Sequence, residues 1–129
     1  MISKQKIKYW IDIADYDLTT AHFMQKSRRY LHTIFMCQQA IEKILKALYL
    51  QTYHKEAPFT HNLIYLQSLL SLKLNQDQQR LLAELNTYYI EGRYPSYKNK
   101  LSTLIDKKKS TEILKKSKII YKCIKSAIN

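Results

Sequence analysis

Apolar residues recur every three or four positions along most of this chain, the spacing of amphipathic helices. In residues near 4–26, Ile7, Ile11, Ala14, Leu18 and Ala21 fall on one stripe and Trp10 widens it, which predicts a first helix. A second helix is predicted from about Tyr30 to His54. One apolar set there is Leu31, Ile34, Phe35, Ile41, Leu45 and Leu48; another is Cys37, Ala40, Ile44 and Ala47. Two sets cover more than one face, so this helix should be the central, most buried one. Pro58 ends it, and Thr60 is the expected N-cap of a third helix over about 61–72, with Leu63, Leu66, Leu69 and Leu70 inward. Asn75 is the expected cap of a fourth, from about Gln76 to Ile90, with Leu81, Leu82, Leu85, Tyr88 and Tyr89 inward. A polar connection, Asn99 to Ser110, partly helical, leads to a last helix over about 110–128. Its stripe is Ile113, Leu114, Ser117, Ile120, Tyr121, Ile124 and Ile128. The expectation is all-α: one domain over 1–129, a compact up-and-down bundle of about five helices.

Polar residues interrupt this pattern in informative places. Gln38 and Gln39 lie in the middle of the central helix. A buried amide needs hydrogen-bond partners, so at least one should bond to a neighbouring helix or subunit. Glu42, Lys43 and Lys46 read as a polar edge, with Glu42 and Lys46 spaced for an i,i+4 ion pair. Asp12, Asp15 and Asp17 read as a solvated acidic face balancing nearby lysines. Lys115, Lys118, Lys122 and Lys125 form a cationic row on the last helix.

The helical pattern breaks at Glu91-Gly92-Arg93-Tyr94-Pro95-Ser96-Tyr97-Lys98, which holds the only glycine and one of two prolines. The preceding helix should end or kink here, with Tyr94 pushed towards an extended backbone by the following proline. Arg93 at such a break can offer a planar donor fork to phosphate, and Tyr94 and Tyr97 can stack on bases. The alternative is that Arg93 pairs with Glu42 or Glu91 while Tyr94 and Pro95 pack the bundle end.

Composition adds a bias. The formal charge is +12, from 22 Lys and Arg against 10 Asp and Glu, which favours encounter with polyanions. Cys37 and Cys123 are far apart and read as reduced thiols. No apolar run approaches the ~18–20 residues of a membrane span, and the basic start lacks the continuous apolar region of an export signal. A cytoplasmic protein without membrane association is expected. His22, His32, His54 and His61 show no metal-ligand spacing, and the glycine count excludes phosphate-cradling loops, so no metal or cofactor is expected. No serine-hydrolase elbow is present.

Four ordered stretches resemble the HEPN domain family: Ala14-Asp15-Tyr16-Asp17-Leu18, the segment from Gln38 to Ala47, Thr60-His61-Asn62-Leu63, and Arg93-Tyr94-Pro95. Together they span nearly the whole chain. The resemblance implies a small helical bundle, a homodimer, in a toxin–antitoxin or defence system beside a minimal nucleotidyltransferase antitoxin. Active members resemble metal-independent endoribonucleases, in which an arginine is followed a few residues later by a histidine. Here no histidine follows His61 in the sequence, so that pair does not carry over. In some members a tyrosine beyond the histidine receives AMP from the antitoxin; Tyr97 lacks the matching spacing.

Three readings result. The first is a binding module for a nucleotide, an RNA or a nucleotidyltransferase partner, centred on Arg93, Tyr94, Tyr97 and Lys98 and assisted by Lys118 and Lys122. The second is a divergent endoribonuclease toxin using Arg93 with His61, Tyr97 or Lys98. The third is a structural dimerisation scaffold. Gln38, Gln39, Glu42 and Lys46 form its polar core or interface in each case.

Overall fold

The computed structural model describes the backbone of residues 2–91 and 94–129, and the side chains of 4–90, 94 and 100–129. Among these residues the chain forms six α-helices and no strand. They are α1 (Ile2–Lys26), α2 (Tyr30–Tyr53), α3 (Leu63–Ser68), α4 (Gln76–Glu91), α5 (Pro95–Leu104) and α6 (Lys107–Ser126).

Helix α2 is the axis of the bundle. It touches each of the other five helices, and most of its residues are buried. Both apolar sets of α2 are used: Ile34, Ile41 and Leu45, and also Cys37, Ala40, Ile44 and Ala47, are fully enclosed. Helix α1 packs along α2 through Ala14 and Ala21, whose small side chains allow close approach. Helix α4 adds Leu81, Leu82 and Leu85, and α6 adds Ile113, Ile120 and Ile124. Burial takes the Cys37 thiol up to about 12, so it remains protonated and unreactive, while Cys123 is exposed.

The turns are made almost without glycine. Arg28 (φ 64°), between α1 and α2, and His54 (φ 57°), capping α2, adopt the left-handed conformation. Each non-glycine residue accepts a steric cost there so that a helix can be closed; the His54 N–H donates to the Leu50 carbonyl. Helix α4 begins with a reciprocal capping box. The Asn75 side chain accepts from the Gln78 N–H and the Gln78 side chain accepts from the Asn75 N–H.

Three boundaries differ from the periodicity-based expectation. Helix α3 is only 63–68, and its N-cap is Asn62, which accepts from the Tyr65 N–H; the expected cap, Thr60, accepts instead from the Asn62 N–H. The connection from Asn99 to Ser110, expected to be partly helical, contains much of helix α5, which begins earlier, at Pro95. Pro95 occupies its first turn and the extended Tyr94 (φ −100°, ψ 126°) precedes it, as the proline requires. Helix α6 starts at Lys107 because Asp106 caps it, accepting from the Lys109 N–H.

The acidic residues of α1 are inter-helix ties rather than a solvated face. Asp17 is 6% exposed and paired with Lys43 of α2. Asp15 accepts from the Tyr121 hydroxyl and pairs with Lys125 at 3.0 Å, joining α1 to α6. Burial, then the bond to Asp15, holds the Tyr121 phenol protonated well above its usual range. Only Asp12, paired with Lys8 at 2.7 Å on the same helix, is a surface group of the expected kind. Among the described residues no helix is long and apolar enough to cross a membrane.

Truncating Ile44, fully buried at the centre of α2, to alanine should cost about 2–5 kcal/mol of unfolding free energy by urea titration. The same truncation at Ile119, 55% exposed on α6, should cost less than about 0.5 kcal/mol.

Candidate functional site

One row of α2 carries three polar residues at consecutive i,i+4 positions, Gln38, Glu42 and Lys46. All are buried, so Glu42 and Lys46 are not the polar edge their chemistry suggests. Glu42 is the hub. Its Oε2 accepts from Lys46 Nζ at 3.0 Å, and its Oε1 accepts from Gln38 Nε2 at 3.1 Å and lies 2.9 Å from His61 Nδ1. Gln38 Nε2 also donates to the His61 carbonyl at 3.0 Å, so the expected buried amide does bond to a neighbouring segment. Gln39, one position on, is partly exposed and lies outside this network.

The network orients His61. A carboxylate oxygen accepts only, so Nδ1 of His61 carries the proton and Nε2 is left for another partner. The ring is partly exposed and sits among aromatics, with centroids 6.0 Å from Phe59 and 5.3 Å from Tyr89. Lys46 Nζ lies 5.7 Å from the Trp10 ring and 5.8 Å from the Phe59 ring. Two aromatic faces and one carboxylate therefore compensate its burial.

A second pair of polar groups stands beside His61. Asn86, on α4, accepts the Leu63 N–H at 2.9 Å through Oδ1 and donates from Nδ2 to Asn62 Oδ1 at 2.8 Å. Thr60, His61, Asn62, Asn86, Tyr89 and Ile90 line one pocket of about 210 Å³. Asn86 is not evident from the pattern, although it lies four residues after the inward Leu82, a polar residue on an apolar stripe.

The pocket reaches Ile90, next to the end of α4. Arg93 lies outside the described residues, as do the side chains of Tyr97 and Lys98. Tyr94 is 57% exposed. The cationic row contributes nothing to this pocket: Lys118 Nζ is 3.3 Å from His22 Nδ1, Lys125 is paired with Asp15, and Lys122 and Lys115 are exposed. The charge of Lys118, then a slight desolvation, holds the exposed His22 below its usual range. Among the described residues no group of three or more His, Cys, Asp or Glu is placed to hold a metal ion.

The family model of the HEPN domain matches residues 7–127. Two solved structures share the fold. TT1696 from Thermus thermophilus is 21% identical, with a TM-score of 0.82, 95% of this chain covered and 98% of that one. ST0689, an archaeal HEPN homologue, is 22% identical, with a TM-score of 0.75 and the same coverage of both chains. No curated protein matches the chain.

Replacing Glu42 by Gln leaves the Lys46 ammonium buried without its carboxylate and should cost about 3–5 kcal/mol in urea unfolding. In a double-mutant cycle, adding Lys46→Met should recover most of that loss, as expected of a coupled buried pair. His22 should titrate below the ordinary histidine value by NMR, and Lys118→Gln should move it up. The unfolded chain holds the His22 proton more tightly than the folded one. Its contribution to stability therefore declines as pH falls from the ordinary histidine pKa to the depressed one.

Proposed function

Because the chain belongs to the HEPN domain family, we propose that it is a recognition module for a nucleotide or an RNA strand, working inside the cell. The observation that carries this reading is the Glu42–His61 contact. A buried carboxylate, itself held by Lys46 and Gln38, holds the Nδ1 edge of His61, a residue that lines a pocket, and leaves its Nε2 for another partner. An imidazole oriented so firmly at a cavity suits ligand recognition better than packing alone.

Arg93 is the phosphate-binding group of this proposal. It follows Ile90, a lining residue, by three positions, a chain length of at most about 11 Å. Its guanidinium would take a phosphate while Tyr94 and Tyr97 stack on bases and Lys98 adds charge. Lys118 and Lys122 supply long-range attraction from another face. In this reading the chain is the binding half of a two-component toxin–antitoxin or defence system. A nucleotidyltransferase is its partner and a second copy completes a homodimer.

A divergent endoribonuclease is the second reading, favoured by the same contact: with Nδ1 held by Glu42, His61 Nε2 is free to accept a proton, as an oriented general base must. Metal-independent cleavage of RNA in chelator, lost in both Arg93→Ala and His61→Ala, would support it. Activity unchanged in both variants would mark a contaminant.

The binding reading is tested by fluorescence anisotropy with labelled RNA. Arg93→Ala should lower affinity about 10- to 100-fold, the value of a charge-assisted phosphate contact of roughly 1.5–3 kcal/mol. Affinity should also fall with salt, and Lys118→Gln with Lys122→Gln should flatten the log–log slope by about 0.7 for each phosphate contact removed. Unchanged affinity in Arg93→Ala would reduce the site to a scaffold element.

A further inference from the structure

We propose that the Asn62–Asn86 pair and His61 form a base-reading subsite selective for uracil; this rests on the nucleotide-binding reading and specifies its ligand. The orientation of both amides is determined by backbone donors. A backbone N–H can only donate, so the atom of Asn86 facing the Leu63 N–H is the oxygen, and the atom of Asn62 facing the Tyr65 N–H is likewise the oxygen. With both oxygens assigned, Asn86 Nδ2 uses one N–H on Asn62 Oδ1 and keeps one. Asn62 Nδ2 keeps both of its own. Thr60 Oγ1 accepts from the Asn62 N–H, so its O–H also remains as a donor.

The residues that line the pocket therefore carry several donors not used within the chain and, at His61 Nε2, one acceptor. Its volume of about 210 Å³ is below the ~300–1,000 Å³ of sites that enclose a whole drug-sized ligand. That size fits one base rather than a complete nucleotide. Tyr89, Ile90 and the His61 ring supply flat or apolar contacts for its faces. Uracil is the base whose Watson–Crick edge matches, since two carbonyl acceptors flank a ring N–H donor. Adenine offers an amino donor beside a ring acceptor and leaves amide donors of the pocket unpaired. Cytosine and guanine each place an amino donor where the pocket also donates.

The test is equilibrium binding of the full chain to oligo-U, oligo-C, oligo-A and oligo-G of equal short length. Oligo-U should bind about five- to a hundred-fold more tightly than oligo-A, the usual range for a matched against a mismatched base edge. N3-methyluridine in place of uridine removes the donor meant for His61 and should erase most of that preference. The decisive variant is Asn62→Asp. It keeps the oxygen that accepts from Tyr65 and Asn86 and removes only the two outward N–H donors, so its melting temperature should be preserved or raised. Its added charge weakens all RNA alike, so the readout is the U-to-A affinity ratio, expected to fall towards one. Equal binding of all four oligomers, or a ratio unchanged in Asn62→Asp, overturns the uracil assignment and leaves the nucleotide-binding reading standing. No binding of any oligomer or nucleotide overturns both.

Discussion

The carboxylate of Glu42 is the constraint on which the arrangement depends. It sits on the most buried helix and is 6% exposed, so it must be fully compensated. Lys46 supplies the charge from one turn along the same helix. Gln38 supplies a donor from one turn before, and His61 closes the shell from a different segment. Two of these partners come from α2 and form with the helix itself. The third pins the loop before α3 to the bundle axis. Since Gln38 also grips the His61 carbonyl, that loop is held at both its side chain and its backbone. A short helix such as α3 has little stability of its own, and these contacts, with the Asn62 and Asn86 bonds, define where it begins.

The positive charge of the chain is distributed unevenly in its effects. Several of the 22 cations are absorbed by structure: Lys43 on Asp17, Lys125 on Asp15, Lys109 on Glu84 at 2.7 Å. These ties link α1 to α2, α1 to α6 and α4 to α6. They leave other lysines, among them Lys115 and Lys122, exposed on the surface. A net charge of +12 thus describes attraction for polyanions only after the placement of these ties is considered.

Helices α1, α2, α4 and most of α6 are legible in the sequence because each carries an apolar stripe of several turns, and the double stripe of α2 marks it as central. Helix α5 is not. Its ten residues include few apolar positions, and among its described side chains Leu101 alone is anchored in the core, so no periodicity accumulates. The start of α6 is masked by Lys107-Lys108-Lys109, which resemble a loop, whereas Asp106 is the local cap signal. At the candidate site, His61 and Gln38 stand out from chemistry and position. Glu42 and Lys46 are expected as a pair but read both as a polar edge and as a polar core or interface, because the pattern weighs each charge alone and cannot see that aromatic rings and amides make burial tolerable. Asn86 is silent for a related reason. An amide at an inward position reads as an irregularity until its bonds to Leu63 and Asn62 are visible.

The left-handed turn at Arg28 has a consequence for substitution at that position. Glycine would relieve the backbone there, but it would also delete a cation from a chain of net charge +12. One position therefore answers to two unrelated demands, and a gain in one is a loss in the other. A substitution there that preserves both must tolerate the left-handed geometry and keep the charge, a narrower set of residues than either demand alone would allow.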